Sequence, residues 1–201
     1  VAVVVVIGVI GYVILANPEL LEDKKPEIAK IEGNVVEDFS FEQVAPGWTT
    51  APNSPAQGSF GSGEGTQGES FYTVSRDSDG QGGRPAVVEF TGKEFTVSQG
   101  RSYRFGAQAR SSGGGQAAVR LLWVGAGEGA VGSRLSSTGL LAGSSWTELT
   151  ATATPPPNTT HARLQLVNAG SGSVDFDDVF LAPAGAADAG TSVEDGVLSV
   201  T

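Results

Sequence analysis

Short apolar runs dominate the chain from residue 34 onward, and their spacing is that of β-strands. Apolar and polar positions alternate within them, as in a strand with one buried face. The runs cover residues 86–90, 95–97, 103–107, 118–123 and 163–167. Glycine weakens helix and strand interiors, so the glycine-rich segments predict turns or loops; these are residues 58–68, 78–83, 111–115 and 125–132. No amphipathic segment of helical spacing follows residue 30, and we predict an all-β fold, a jelly-roll β-sandwich.

The amino-terminal residues differ from the rest because they carry no charge. Residues 1–16 read VAVVVVIGVIGYVILA. A helix rises about 1.5 Å per residue, so this stretch covers roughly 24 Å of a hydrocarbon core of about 30 Å. We interpret it as one transmembrane helix and expect further residues before Val1. A cleaved signal peptide is the alternative, although Ile14, Leu15 and Ala16 lack the small-x-small cleavage pattern.

These patterns divide the chain into four segments. We assign residues 1–17 to a transmembrane anchor, 18–33 to an interfacial helix and linker, 34–183 to the sandwich and 184–201 to an acidic tail of small residues. Asn17 and Pro18 favour a helix start, since Asn is a good cap and Pro fits the first helical position.

The charge balance limits the partners of the chain. Twenty-two acidic residues against twelve basic ones give a net charge of −10, so long-range electrostatics disfavour nucleic acid and anionic headgroups. The absence of cysteine from the sequence excludes disulfides, thiolate metal sites and cysteine nucleophiles. With 201 residues, we expect one domain around one core.

Several segments in order carry a family resemblance. Residues 34–42, followed by Gly47 and Trp48, resemble the opening strand of jelly-roll carbohydrate-binding modules and their galactose-binding-like relatives, and residues 176–181 resemble the closing strand. Residues 95–105 are similar to a middle strand pair of that family. A late segment with Trp146, Leu149 and residues 155–157 completes the match.

This resemblance covers residues 34–183 and implies a β-sandwich. The same fold serves glycan binding, adhesion and inert spacing, so it leaves the function open. The family uses the positions of Trp48 and Trp146 for packing, and we expect both side chains in the core.

The resemblance also implies a structural calcium ion where the first and last strands meet. Glu42 and Asp177 are the positions that match its ligands. Calcium takes six to eight oxygen ligands at about 2.3–2.6 Å, which carboxylates and backbone carbonyls supply. The alternative is that both residues are surface acids at strand ends. The sequence requires no other cofactor.

Sugar recognition needs an aromatic side chain that stacks on a sugar ring, with polar groups that bind hydroxyls. The candidates are Trp123, Tyr72 and Tyr103, and we assign Trp123 and Tyr72 as glycan contacts. Trp123 shares a strand face with Val119 and Leu121, so a place in the core is the alternative for it.

No catalytic site is predicted. His161 is the one histidine of the sequence, and no Gly-x-Ser-x-Gly turn accompanies it. Asp175, Asp177 and Asp178 are the paired carboxylates suited to glycosidic cleavage, but the resemblance places them at a strand end rather than in a cleft. We therefore expect a protein that is not an enzyme.

The side chains of the predicted anchor are suited to packing against lipid or another helix and to no other role. It has no His, Met, Cys or carboxylate, which excludes the usual haem ligands and proton relays. Gly8 and Gly11 permit the close approach of another helix, and Tyr12 suits a membrane interface. A type IV pilin joins a similar helix to a β-rich head, but Val5 stands where the pilin helix has Glu.

Three functional hypotheses follow. The first is a non-catalytic structural subunit of a larger membrane complex, photosynthetic or respiratory for example, with other membrane-protein subunits and lipid as partners. It would cross the cell membrane once and hold its sandwich on the extracytoplasmic face, periplasmic or extracellular. The alternative is a tethered glycan-binding module at the cell surface, and the third is a pilin-like filament subunit. An exposed aromatic side chain with polar neighbours would favour the glycan-binding hypothesis. An apolar patch that faces another protein would favour the hypothesis of a structural subunit.

Overall fold

The computed structural model describes residues 32–185, apart from residues 38, 44–46, 77–82, 92–93 and 126–129 and the side chains of residues 130–134. The regular structure of this part is entirely β, and it contains no helix that is long and apolar enough to cross a bilayer. The predicted anchor with Gly8, Gly11 and Tyr12 lies outside the described residues, as do the tail after residue 185 and nearly all of the interfacial segment. These assignments stay predictions.

Two antiparallel sheets make up the described part. Its strands are Trp48–Thr50 (β1), Ala56–Ser62 (β2), Ser70–Arg76 (β3), Ala86–Phe90 (β4), Phe95–Thr96 (β5), Tyr103–Ser112 (β6), Ala117–Gly125 (β7), Ala130–Ser137 (β8), Thr147–Ala153 (β9), Thr159–Asn168 (β10) and Ser173–Pro183 (β11). The first sheet has the order β1-β4-β10-β7-β8, with β5 also paired to β10, and the second sheet has the order β2-β3-β11-β6-β9. The prediction of an all-β sandwich is confirmed.

Alternating side chains of both sheets fill the core. On β7 of the first sheet, Val119, Leu121 and Trp123 are buried, and the residues between them point away from the core. Phe105 on β6 and Phe176 on β11 meet them from the second sheet and are fully buried. Because side chains alternate along a strand, the residues between these buried ones point to the outer face of the sheet.

Strand β2 corrects the interpretation of residues 58–68 as a loop. The strand contains Gly58 and Gly61. A Cβ atom at Gly58 would lie 2.2 Å from the hydroxyl oxygen of Tyr72, and one at Gly61 would lie 2.2 Å from the ring of Phe71. Both glycines make room for aromatic side chains of β3 that cross β2, which is a packing requirement rather than a turn signal.

Asn34 joins the opening segment to the last strand. Its Oδ1 accepts hydrogen bonds from the backbone N–H groups of Val36 and Leu181, both at 3.1 Å, and its Nδ2 donates to the Val179 carbonyl at 3.2 Å. The side chain is buried, and every polar atom of the amide has a partner. The segments at the two ends of the sandwich thus lie side by side.

The two tryptophans assigned to packing have different places. Trp48 lies in the core against Phe41 and Phe90, with ring centroids 5.9 and 5.1 Å away. Trp146 is partly exposed on the outer face of the second sheet, so the prediction for it is wrong. Trp146 stands three positions before the inward-facing Leu149, and an odd number of positions along extended backbone places two side chains on opposite faces.

Gly106 on β6 is a position where the packing leaves no room for a side chain. A Cβ atom there would lie 1.9 Å from the Leu149 carbonyl oxygen and 2.9 Å from the ring of Phe180. We expect Gly106→Ala to lower the free energy of unfolding by about 1–3 kcal/mol, because strands must shift to admit the methyl group. Denaturant unfolding measures the change. Gly139→Ala is the control, since nothing lies within 4 Å of its Cβ position; equal losses in both variants would contradict the packing argument.

Candidate functional site

A row of polar side chains crosses the outer face of the first sheet. Glu89 on β4 lies opposite Gln165 on β10, which lies opposite Arg120 on β7, and Arg120 lies opposite Ser137 on β8. Their neighbours along the strands face the core, so the alternation of side chains turns these residues outward. We call Glu89, Gln165, Arg120 and Ser137 the polar row.

Two members of the polar row are shielded from solvent. Glu89 and Gln165 are only 5% and 8% exposed although they point away from the core. Gln165 Nε2 donates to Glu89 Oε2 at 2.8 Å, and Arg163 Nη1 donates to Glu89 Oε1 at 3.4 Å. A few fixed polar groups in a sheltered surface are what orients a small ligand or a saccharide unit.

The two arginines of this face differ in their partners. Arg163 Nε and Nη2 donate to Glu94 Oε1 at 2.9 and 2.7 Å. The hydrogen bond to Glu94 raises the pKa of Arg163, with the charge of Glu89 adding to the effect and partial burial opposing it. Arg120 has no ion pair within the described part of the chain, and burial lowers its pKa. One guanidinium is therefore engaged and the other is available.

Aromatic rings lie on the outer face of the second sheet, around Arg110. Its guanidinium carbon is 5.0 Å from the ring centroid of Phe71 and 4.6 Å from that of Trp146. Arg110 Nε donates to Asp175 Oδ2 at 2.9 Å, and Trp146 Nε1 donates to the Glu64 carbonyl at 2.9 Å. One face of each ring is already engaged by the arginine, so this cluster is first of all a packing unit.

Two acidic side chains lie together at an irregularity of β11. The register against β6 shifts between Asp177 and Phe180, and Asp178 has a φ of 48°, in the left-handed region that Asp tolerates. Thr66 Oγ1 lies 2.8 Å from Asp177 Oδ2 and 2.5 Å from Asp178 Oδ2. A hydroxyl has one hydrogen to donate, so one of these two contacts requires a further proton or a cation.

The surroundings of the two carboxyls fit a bound cation. Asp177 is fully buried, and Asp178 Oδ1 is buried without a hydrogen-bond partner. Burial raises the pKa of Asp177, and burial together with the charge of Asp177 raises the pKa of Asp178 to about 6. No cluster of three or more Asp, Glu and His side chains suited to a metal occurs among the described residues, so hydroxyl, backbone or water oxygens would complete the ligand shell.

Glu42, the other predicted calcium ligand, holds the same loop. Its Oε1 accepts from the backbone N–H groups of Glu69 at 3.0 Å and Ser70 at 2.7 Å. Asp177 Oδ2 accepts from the Thr66 N–H at 2.6 Å. The structure thus brings both residues to the connection between β2 and β3, and their role as calcium ligands stays a prediction.

The predicted glycan contacts lie inside the protein. Trp123 is 1% exposed, and its Nε1 donates to Ser136 Oγ at 2.9 Å. Tyr72 is 4% exposed and stacks on Phe41 with centroids 5.5 Å apart, and burial raises its pKa. Tyr103 is buried as well. None of these rings presents a face to solvent, which argues against direct glycan contact, because each stands at an inward position of its strand.

Sequence reasoning missed the polar row, although a signal for it exists. Glu89 and Gln165 are polar positions within the runs 86–90 and 163–167, and alternation marks them as outward. Their meeting depends on the pairing of β4 with β10, which no local pattern specifies.

Comparison with protein families agrees with the observed fold. The model of a family described as a carbohydrate binding domain matches residues 33–171. No curated protein gives a significant match.

Solved structures with the same architecture include glycan-related proteins. The enzymatically active domain of tailspike protein 4 of bacteriophage CBA120 has a TM-score of 0.58 at 14% identity, with 75% of this chain and 21% of that chain covered. The CBM22-1–GH10 modules of Clostridium thermocellum endo-1,4-β-D-xylanase 10B, complexed with xylohexaose, give 0.56 at 19% identity, with 77% and 29% covered.

The C-terminal family 22 carbohydrate-binding module of the same C. thermocellum xylanase gives a TM-score of 0.57 at 16% identity, with 81% of this chain and 99% of that chain covered. The chain thus spans about a fifth and under a third of the first two structures and nearly all of the third. At these identities the likeness shows the fold alone.

Proposed function

This chain belongs to the carbohydrate-binding domain family, and on that premise we propose that it binds a glycan through the outer face of the first sheet. The observation that carries the proposal is the polar row, in which two outward-pointing side chains are shielded from solvent. Its buried Glu89 and Gln165 are held in place by hydrogen bonds to each other and to Arg163. Family membership supports a binding module without catalytic activity.

Sugar rings present hydroxyl groups and apolar C–H faces, and the outer face of the first sheet offers a partner for each. The Glu89 carboxylate and the Gln165 amide are suited to hydroxyls, because they provide fixed acceptors and donors. Leu122 on β7 lies opposite Leu135 on β8, which is half-exposed, and this pair supplies apolar contact beside the row. Hydrogen bonds would therefore orient the ligand, and the leucines would cover one ring face.

The family match favours glycan binding over the hypothesis of a structural subunit in a membrane complex. The large apolar side chains that are exposed in the described part are Val35, Phe60, Leu135 and Leu140. Phe60 on β2 and Leu135 on β8 lie at opposite edges of the sandwich, because β2 packs over β1 and β4 at the far edge of the first sheet from β8. This placement does not support a single protein-docking patch. We retain the membrane tether at residues 1–17 and the extracytoplasmic location as proposals that rest on the uncharged amino-terminal sequence.

We also propose that the carboxyl pair binds a structural calcium ion. Asp177 and Asp178 would supply carboxylate oxygens, and Glu42 would hold the β2–β3 connection beside them. The supporting observations are the unpartnered buried Oδ1 of Asp178 and the Thr66 hydroxyl that lies between two carboxylates. The ion would neutralise buried negative charge and join this connection to β11.

Glu89→Gln tests the proposed glycan face. We expect an affinity loss of about tenfold or more, because a hydrogen bond to an ionised acceptor is stronger than one to an amide. Isothermal titration with a glycan identified on an array measures the change. Glu148→Gln is the matched control, since Glu148 also pairs with an arginine, Arg104, but lies on the second sheet. Equal affinity losses in both variants would contradict the assignment of the face.

A further inference from the structure

Among the described arginines that point outward from the two sheets, Arg120 lacks a carboxylate partner; Arg76, at the end of β3, has none either, but its Nη2 donates to the Arg84 carbonyl. Arg104, Arg110 and Arg163 also stand on outer faces, and each has a carboxylate oxygen within 2.9 Å. Arg120 lies at the centre of β7, between the buried Val119 and Leu121. Alternation therefore points it away from the core, at the middle of the first sheet.

The neighbours of Arg120 leave its charge uncompensated. Gln165 and Ser137, which lie opposite it on the two adjacent strands, are neutral. Along its own strand the next outward residues are Ala118 and Leu122, which are apolar. The guanidinium is half-buried, and this burial lowers the pKa of Arg120. A partly desolvated cation without a counter-charge gains most from an anionic ligand.

A guanidinium binds oxyanions whose shape matches its planar fork. The fork binds a carboxylate or a phosphate through two parallel N–H···O hydrogen bonds, and the singly charged carboxylate is the better partner for a chain with a net charge of −10. Among the described residues, no Phe, Tyr or Trp stands on this face of the first sheet, and the one aromatic ring at an outward position is the imidazole of His161 on β10. Stacking on a large aromatic ring therefore does not supply the binding energy there. A ligand that carries a carboxylate would instead gain binding energy from an ion pair with Arg120.

We propose that Arg120 binds the carboxylate of a uronic-acid residue, so that the ligand is a mostly neutral glycan with isolated acidic sugars. This inference rests on the proposed function and specifies its ligand class. The acidic sugars are isolated rather than contiguous, because a net charge of −10 repels a polyanion as a whole. The same repulsion disfavours an acidic peptide, and the hydroxyl-binding groups beside Arg120 suit a sugar.

The test compares acidic oligosaccharides with their own carboxyl-reduced forms. The full chain is titrated with glucuronic-acid-branched xylo-oligosaccharides and with other uronic-acid oligosaccharides taken from an array, each beside its reduced counterpart. We expect the unmodified chain to bind the acidic form about tenfold more tightly. Arg120→Gln is expected to lower affinity for the acidic form more than for the reduced form and so to remove this preference, and the control Arg104→Gln keeps the preference.

The outcomes separate this inference from the proposed function. Equal affinity of the unmodified chain for acidic and reduced forms overturns the role of Arg120 and leaves glycan binding intact. Absence of binding to every acidic and neutral glycan overturns both. If a glutamate-rich peptide binds more tightly than every glycan, and this binding is lost in Arg120→Gln, the ligand of this face is a peptide and the glycan proposal is wrong. The comparison of ligands uses the unmodified chain, so it decides the matter even if Arg120→Gln does not fold.

Discussion

Replacing Trp123 by Ala is expected to lower the free energy of unfolding by about 3–5 kcal/mol, because the indole fills the centre of the core. The side chain is 1% exposed, and Val119 and Leu121 lie beside it on the same face of β7. Thermal and denaturant unfolding measure the loss. Such a change is a large part of the total stability of a domain of this size.

Trp123→Phe separates the packing role from a role in ligand binding. Phenylalanine keeps most of the apolar volume and loses the hydrogen bond to Ser136, so we expect a smaller loss of about 1–2 kcal/mol. Glycan affinity should not change in this variant. A folded Trp123→Phe protein with abolished glycan binding would restore Trp123 as a ligand contact and refute its assignment to the core.

The second large effect concerns the buried carboxyl pair and calcium. Without calcium, we expect the free energy of unfolding to fall by about 2 kcal/mol between pH 4 and pH 7, since the pKa of Asp178 rises from an ordinary 3.8 to about 6 on folding and part of the effect is screened by solvent. A raised carboxyl pKa stabilises the folded state below pH 3.8, and that contribution is lost as pH increases through 6. Calcium should reverse the trend, because the ion replaces the proton.

Asp178→Asn checks this account. In a chelator at pH 7 the variant should be more stable than the unmodified chain, and its melting temperature should not respond to added calcium. Asp175→Asn is the control on the same strand, since Asp175 pairs with Arg110 and Thr73 rather than with the loop at Thr66. The control should keep its calcium response. A calcium-independent melting temperature of the unmodified chain would remove the proposed ion.

The proposed glycan face relies on polar contacts rather than on aromatic stacking. The aromatic rings expected to stack on sugars, Trp123, Tyr72 and Tyr103, are buried in the core, and the polar groups on the outer face of the first sheet take their place. This makes hydrogen bonds and one available guanidinium the main sources of specificity. Ligands without well-placed hydroxyls or carboxylates should therefore bind weakly.

The sequence predicted the fold class well, because strand alternation is a local property. The runs around Val88, Leu121 and Leu164 identified buried faces that the structure confirms. The errors came from other signals. The family resemblance placed Trp146 in the core, although it stands before β9 and is partly exposed. Glycine content predicted a loop over residues 58–68, because the glycines of β2 resemble turn residues until the rings of β3 are placed across them.

The candidate site was less accessible to sequence reasoning. Glu89 and Gln165 are 76 positions apart, and their hydrogen bond exists only because β4 and β10 are neighbours in the first sheet. Asp177 and Asp178 were visible as an acidic pair, but their burial and their shared contact with Thr66 depend on a loop more than a hundred residues earlier.

The sequence by itself determined that the described part is a two-faced β protein with an apolar core, since hydrophobic periodicity selects the inward side of the strands that it identifies. Only the tertiary structure decided what the outer faces do. The order of strands in each sheet sets which outward residues become neighbours, and burial sets which of them are held rigidly or left without a partner. Arg120 is the clearest case: its position on a strand follows from local alternation, but its unpaired charge follows from Gln165 and Ser137 being the residues opposite it.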